Sequence, residues 1–492
     1  MKVQEILQLL NQQDAEIEID KSQTISGVTD DSREVEDGYV FVAVRGYQVD
    51  GHHFIDEAID NGASVVISEE TVTHKNVVCL RTINSRRALG KIASAFYGYP
   101  SKDKIVIGVT GTNGKTTTSH MIKHICEQNG YSCSMFGTID YVVNDNVVPG
   151  IQTTPSAPML QQLLYESDDD VVVMEVSSHG LDQYRLEGVM FDFCVFTNLY
   201  KDHLDYHSSM EDYFAAKSKL FYMLKPQGKA VINVDDLWGE KLSINLSKEN
   251  IPHWKVGHQM ENEMIIKDID TDHFSGTVKV QDEEVTIKSP LQGAHNVYNS
   301  LEAYAIGRLL GLSSPSITEA FLSLPGINGR FECYELDNGA TVVIDYAHTA
   351  DSIEHVLDTA RQQGAESLIH VFGFRGNRDQ TKRGEMIGAS AIRSDAYILT
   401  LDDLNSESYE DMVYTLEQLQ HEYGDTQGRI IPDRTLAIEE AVMNSSQGDW
   451  ILITGKGHEP YQQDYHYPVS SDKETVIYLQ NKITETKSDL MA

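Results

Sequence analysis

IVIGVTGTNGKTTTS, residues 105–119, decides how this chain is read. Five apolar or small residues, Ile105–Val109, form a strand. A glycine-rich turn follows and ends in Gly114-Lys115-Thr116, and a helix runs from about Thr116 to Gln128, with Met121, Ile122 and Ile125 on its buried face and Gly130 as its stop. Backbone amides at a helix N-terminus, joined by a lysine, make a site for phosphate groups. Thr116 stands where a hydroxyl can hold Mg²⁺. The strict phosphate loop has glycine five positions before Gly114, whereas this chain has Val109.

Working outward, short apolar runs recur downstream: VVVMEV at 171–176, CVFTNL at 194–199 and AVINV at 230–234. Alternating with helices, they predict a mostly parallel sheet covered on both faces. Residues 250–290 differ, because stretches such as FSGTVKVQDEEVTIK predict a small antiparallel appendage. Upstream, a strand at Val40–Val44, a helix around Phe54–Ile59 and a strand at Ser64–Ile67 follow the loop TDDSREVEDG. The turn residues Tyr97-Gly98-Tyr99-Pro100-Ser101 separate that segment from the phosphate loop. Beyond Pro325-Gly326 the alternation resumes: TVVIDYA, a helix from about Ser352 to Gln363, LIHVFGF, AYILTLDD and WILITGKG predict a second doubly wound α/β unit.

At 492 residues the chain exceeds one ordinary core, and three segments are expected, 1–98, 99–325 and 326–492. Acids outnumber bases 75 to 39, a formal charge of -36 that repels nucleic acid and anionic membranes. An anionic substrate therefore needs a local basic or backbone-amide site. The five cysteines form no CxxC pair and read as reduced core residues. The N-terminal stretch MKVQEILQLLNQQDAEIEID places Val3, Ile6, Leu7 and Leu10 on one helical face and is acid-rich rather than signal-like. No apolar run reaches the ~18 residues of a membrane span. These features predict a cytoplasmic protein, taken as a monomer.

The variant TGTNGKTTT resembles the phosphate loop of the Mur ligases, and further motifs of that family stand in order over nearly the whole chain. DDSREVEDGYVFVAVRG with DGHHFIDEAIDNGA resembles the UDP-binding N-terminal domain of the branch that adds the third peptide residue. TTP at 153–155 and EVSSHGLDQYR at 175–185 resemble its muramoyl-dipeptide site. TNLYKDHLDYH at 197–207 and YFAAKSKLF at 213–221 resemble its metal region. GAHNVYNSLEA, GRFE, DYAHTADSIE, GNRDQTKR and ITGKGHE resemble its nucleotide-binding and C-terminal elements. The resemblance implies an α/β fold of three domains: an N-terminal UDP-substrate domain, a central parallel sheet of phosphate-loop ATPase type, and a C-terminal Rossmann-like domain that binds the amino acid.

It also implies an ATP-dependent, ADP-forming ligase. Such an enzyme adds an amino acid to UDP-N-acetylmuramoyl-L-alanyl-D-glutamate in peptidoglycan precursor synthesis, through an acyl phosphate and with Mg²⁺. Gly111, Thr112, Asn113, Gly114, Lys115, Thr116 and Thr117 then hold ATP, with Asn296, Asn299, Arg330, Asp345 and His348. Thr116, Glu175 and His203 are implied as the metal set. Lys217 is implied as a carbamylated lysine, N6-carboxylysine, since an ammonium cannot ligate Mg²⁺. Lys115, Glu175, His203 and Lys217 are the catalytic candidates. Ser32 (beside Arg33), Thr153, Thr154, Ser177, Gln183 and Arg185 are assigned to the UDP substrate, Arg185 as a bidentate partner for carboxylate or phosphate.

The match breaks at the amino-acid site. Diaminopimelate-adding members carry Asp-Asn-Pro-Arg there, whose arginine grips the distal carboxylate. This chain reads Asp402-Asp403-Leu404-Asn405. Losing a guanidinium and gaining a carboxylate favours an added cation, which points to lysine or ornithine over diaminopimelate. Against that, Phe374-Arg375-Gly376 replaces the family's small residues, and Arg375 can restore the charge. Arg378, Gly455 and Glu459 still match, with Arg378 expected on the α-carboxylate and Glu459 on an amino group. Two other readings stay open: another amide ligase of the same architecture, or a non-catalytic nucleotide-binding paralogue.

Overall fold

The computed structural model describes residues 1–11, 21–46 and 49–491, and side chains up to residue 483. The acid-rich stretch 12–20 of the N-terminal reading lies outside the described residues. Contacts divide the chain into two units. The first holds Met1–Thr110, Gly130–Val195 and Ala216–Ala230; the second holds Gly111–Asn129, Phe196–Ala215 and Val231–Ala492.

In the first unit, Val3, Ile6 and Leu7 of the helix Val3–Leu9 pack into a core beneath a four-stranded parallel sheet. Its strands are Gly27–Thr29, Tyr39–Val42, Val65–Ser68 and Val78–Arg81, in that order. The chain then turns at Gly98 and Tyr99, both in left-handed backbone (φ 76° and 59°), and enters the strand Ile105–Thr110. That strand pairs in parallel with Val171–Glu175, which pairs in parallel with Cys133–Phe136. All five residues of Val171–Glu175 are buried, as a strand with both faces covered requires. Glu175 ends it, so an acid stands at a carboxyl edge of the sheet.

The second unit begins within the glycine-rich turn. Its helix Lys115–Gln128 starts one residue earlier than the sequence reading, with Gly114 as its N-cap at φ 87°. It packs against the helix Ala294–Leu309. The strands His253–Gly257, Met264–Asp270, Ser275–Val280 and Glu283–Lys288, expected as a small antiparallel appendage, instead form one end of a longer sheet. Two of their pairings are antiparallel, but the first two strands meet in parallel over a short register.

The C-terminal sheet has six strands, in the order Glu332–Glu335, Thr341–Asp345, Asp449–Thr454, Ser367–Phe374, Ala396–Leu401 and Gly428–Ile430. Only the first pairing is antiparallel. The last strand in sequence, Asp449–Thr454, thus lies near the centre of the sheet. The helix after Thr341–Asp345 starts at Ala350, two residues before the expected Ser352, because Thr349 caps it: its hydroxyl accepts from the Ser352 amide at 3.3 Å. In such sheets ligands bind beyond the carboxyl ends of the strands, where strand order reverses. Tyr346, Arg375, Asp402 and Gly455 each follow directly on a strand end.

Candidate active site

Within the second unit, the phosphate loop is held by groups from other segments. A Cβ on Gly114 would lie 2.3 Å from Asn299 Oδ1, so close packing as well as the positive φ demands glycine. Asn113 is clamped: its amide donates to Asn198 Oδ1 at 2.9 Å, and its carbonyl accepts from Thr197 Oγ1 at 2.6 Å. Lys115 Nζ donates to the carbonyls of Gly111 and Thr112, each at 2.9 Å. The Thr112 hydroxyl accepts from the Tyr200 amide, and Thr112, Thr116 and Thr117 are all buried.

Asn296 and Asn299 do not cap their helix; Gly293 is its N-cap. Asn299 donates to Asn296 Oδ1 at 2.9 Å and accepts from Thr118 Oγ1 at 3.3 Å, bracing the first turn of the phosphate-loop helix. Arg330 donates through Nη2 to Thr116 Oγ1 at 3.0 Å, and its guanidinium lies 4.7 Å over the Tyr346 ring. Asp345 accepts from the amides of Phe331 and Ala347, and burial pushes its carboxyl up against those bonds and the Arg330 charge. His348 Nε2 stands 3.6 Å from Asp202, and His203 Nε2 3.5 Å from the same carboxylate. Lys382 joins them at 2.9 Å. Burial disfavours the Asp202 charge, but His203, His348 and Lys382 outweigh it and hold the carboxyl well below the usual range. His203 adopts left-handed backbone (φ 56°), a strained conformation fixed by its surroundings.

A cavity of about 100 Å³ opens beside these groups. Asp202, His203, Tyr346, His348, Arg375, Arg378, Lys382, Asp402 and Gly455 are among its lining residues. The cavity brings together Arg378, Asp402 and Gly455, three of the residues assigned to the amino acid in the sequence, and Glu459 accepts from Tyr346 Oη at 3.0 Å. Asp403 and Asn405 do not line the cavity. Asp403 is 2% exposed and ion-paired at 2.7 Å with Lys456, which is itself fully buried. Asn405 is exposed, in left-handed backbone (φ 51°), and donates to the Gly376 carbonyl at 2.6 Å. The expected charge loss at this site is therefore offset: the Asp403 carboxylate is neutralised beneath the cavity by Lys456.

In the first unit, Glu175 is fully buried and accepts from the Thr138 amide and hydroxyl, each at 2.9 Å, one bond to each carboxylate oxygen. A Cβ on Gly137 would lie 2.4 Å from Glu175 Oε1. Thr153 Oγ1 stands 3.0 Å from Thr138 Oγ1. Thr154 donates to the Glu175 carbonyl and accepts from the Ser177 amide, both at 2.9 Å. Arg185 donates to the Thr154 carbonyl at 2.8 Å and to Gln183 Oε1 through Nε and Nη2. Thr153, Thr154, Glu175, Ser177, Gln183 and Arg185 thus form one network. Ser32 is not part of it: its hydroxyl donates to Glu57 at 2.7 Å, while Arg33 pairs with Asp31 on the surface. Lys217 is 1% exposed.

Thr138, Asn198, Asp202, Lys382 and Lys456 were missed in the sequence. Asp202 and Lys456 lie inside the quoted DHLDYH and ITGKGHE motifs, beside residues that were singled out. Asn198 lies inside the quoted TNLYKDHLDYH, whereas Thr138, whose amide and hydroxyl both donate to Glu175, lies in no quoted motif.

The sequence matches the descriptions "Mur ligase family, catalytic domain" over residues 24–97, "Mur ligase middle domain" over 109–307 and "Mur ligase, glutamate ligase domain" over 329–457. It is 38% identical over 454 residues to the UDP-N-acetylmuramoyl-L-alanyl-D-glutamate–2,6-diaminopimelate ligase of Bacillus velezensis, covering 89% of this chain and 90% of that one. Identity to the Aquifex aeolicus protein of the same name is 39%, covering 91% and 92%. A solved structure of a ligase with that name superimposes with a TM-score of 0.67 at 30% identity, over 99% of each chain. MurF ligase from Thermotoga maritima, solved with ADP, shares the fold at a TM-score of 0.64 and 21% identity, over 94% of this chain and 98% of that one. With three matched segments in order and relatives alike over nine-tenths of its length, the chain is a three-domain α/β ligase that belongs to the Mur ligase family.

Proposed function

We propose that the protein joins the free carboxylate of UDP-N-acetylmuramoyl-L-alanyl-D-glutamate to the amine of a diamino acid, converting ATP to ADP and phosphate. The reaction serves peptidoglycan precursor synthesis, and through it wall growth, cell shape and division, in the cytoplasm. Three segments divide the work: 1–98 takes the UDP end, 99–325 takes ATP, and 326–492 takes the amino acid. One observation carries the reading. Arg330 bonds to Thr116 of the phosphate loop and stacks on Tyr346 of the cavity, so phosphate and amino-acid sites share one wall.

The chemistry follows from charge. A carboxylate oxygen attacks the γ-phosphorus and ADP leaves, giving an acyl phosphate. The amine nitrogen attacks the acyl carbon, phosphate leaves with the electron pair of the broken C–O bond, and the amine gives up a proton. Anions converge in both steps, so the site needs cations fixed in advance. Lys115 and the loop amides hold the β- and γ-phosphates. Arg330 and His348 flank them. Arg185, oriented by Gln183, receives a carboxylate or phosphate of the UDP substrate, and Arg378 the α-carboxylate of the amino acid.

Thr116, Glu175 and His203 offer hydroxyl, carboxylate and imidazole donors suited to Mg²⁺. Each Glu175 oxygen accepts a hydrogen bond from Thr138, which fixes the carboxylate's orientation. When bound, the ion withdraws charge from the transferring phosphoryl group. Lys217, which is buried, is the residue we read as the carbamylated lysine.

The test is ADP release with the UDP-muramoyl dipeptide and a panel of amino acids. Turnover that requires both is expected. Turnover with a different carboxylate acceptor would favour another amide ligase, and ADP release under no condition would favour the non-catalytic reading. Lys217→Ala should be nearly inactive, with partial rescue by short carboxylates; an intact mass showing only the bare amine in active, CO₂-equilibrated protein would count against the carbamate.

A further inference from the structure

We infer that Arg375 reads the distal carboxylate of the incoming amino acid, in place of the arginine that Asn405 has displaced. This rests on the ligase reading above. Asn405 is exposed, and its amide is bonded to Gly376, outside the cavity. Arg375 lines the cavity and stands where the family pattern has a small residue. Its Nη2 is ion-paired with Glu459, and its Nε lies 3.4 Å from Asp402 Oδ2. Nη1 has no hydrogen bond among the described residues, so one edge of the guanidinium remains for a ligand.

The charges around it select the ligand. Asp402 is 3% exposed at the side chain and shared between Arg375 and the buried Lys456, at 3.1 Å from the latter. Lys456 also neutralises Asp403. Those three groups sum to one negative charge, and Arg375 with Glu459 to none. Arg375 and Glu459 alone keep partial exposure, 25% and 22% at the side chain, and they present a cation beside an anion. The complement of that pair is an ammonium beside a carboxylate on one carbon: the distal end of a diamino dicarboxylic acid. A lone distal ammonium, as in lysine, would compete with Arg375 for Glu459 and give Arg375 nothing in return. A guanidinium held by two carboxylates is also already oriented, so little rotamer freedom is lost when a carboxylate binds.

The experiment measures kcat/KM for meso-diaminopimelate and L-lysine on the wild-type protein, Arg375→Ala, Arg375→Lys and Arg375→Ala/Asn405→Arg. The wild-type protein is expected to prefer diaminopimelate. Arg375→Ala should lower the diaminopimelate-to-lysine ratio about 10- to 100-fold, the range for losing a charge-assisted contact. Arg375→Lys, which keeps a cation toward Asp402 and Glu459 but loses the fork, should lower it less, and it carries the test if the alanine variant does not fold. Returning an arginine at 405 should recover part of the ratio. A wild-type preference for lysine, or an equal loss for both amino acids in both Arg375 variants, would overturn the assignment. Absence of any ADP-forming turnover by the wild-type protein with every amino acid tried would overturn the ligase reading, and this proposal with it.

Discussion

The phosphate loop and the cavity at the strand ends lie in the same unit and are built in opposite ways. Residues 111–117 are consecutive, and their chemistry comes from backbone amides, one lysine and glycines that no side chain could replace. The cavity draws Tyr346, Arg375, Arg378, Asp402 and Gly455 from four strand ends, and its character depends on which acids are already neutralised. A locally encoded site shows its function in its sequence. A site assembled from distant segments shows only its parts.

That contrast predicts where mutations act. Lys456 is fully buried between two carboxylates, so Lys456→Met leaves Asp402 and Asp403 without their shared cation. A loss of about 3–5 kcal/mol is expected from breaking a buried pair, read by urea denaturation. Lys115→Ala should act on turnover instead: ADP formation falls on the order of 100- to 1,000-fold, with the denaturation midpoint nearly unchanged. If Lys115→Ala unfolded the protein while Lys456→Met altered only turnover, the contrast would be inverted.

Smaller effects sharpen it. Gly114→Ala forces a Cβ to 2.3 Å from Asn299 Oδ1 in left-handed backbone, where the steric cost is about 1–2 kcal/mol. Both stability and ATP turnover should fall, whereas Gly326→Ala, with open space around its Cβ, should change neither. The smallest effect is in the pH profile. Burial opposes the Asp402 charge, but Arg375 and Lys456 prevail and hold its carboxyl well below the usual range. Its contribution is therefore complete above the ordinary carboxylate pKa of about 4 and lost as pH falls below it. Asp402→Asn should be less stable than the wild-type protein at neutral pH, with the gap narrowing below about pH 4. A gap that stayed constant across melting curves in acid would show that Asp402 carries no such coupling.

The sequence made much of this visible. The glycine-rich turn, the buried strand ending at Glu175 and the doubly wound C-terminal segment follow from periodicity and turn residues. The same reasoning treated Asp403 as an open charge, because a single sequence does not show that Lys456, 53 positions away, lies 2.7 Å from it. Arg375 was visible as an oddity, but its pairing with Glu459 needed the strand ends of Ser367–Phe374 and Asp449–Thr454 side by side. Asn296 and Asn299 were assigned to ATP from their motif alone, and no residue pattern shows that Asn299, backed by Asn296, accepts from Thr118 of the phosphate-loop helix.

The order of strands in the C-terminal sheet has a consequence for how the molecule is made. Asp449–Thr454 leaves the ribosome after every other strand, yet it must enter between Thr341–Asp345 and Ser367–Phe374. Until it does, those two strands present bare hydrogen-bonding edges, and Gly455, Lys456 and Glu459 have not arrived. Such non-local insertion is slow, and exposed edges invite pairing with other chains. A message interrupted before codon 449 therefore yields more than an inactive enzyme: it yields a sheet with an open seam, a product for the cell's chaperones and proteases rather than for its wall.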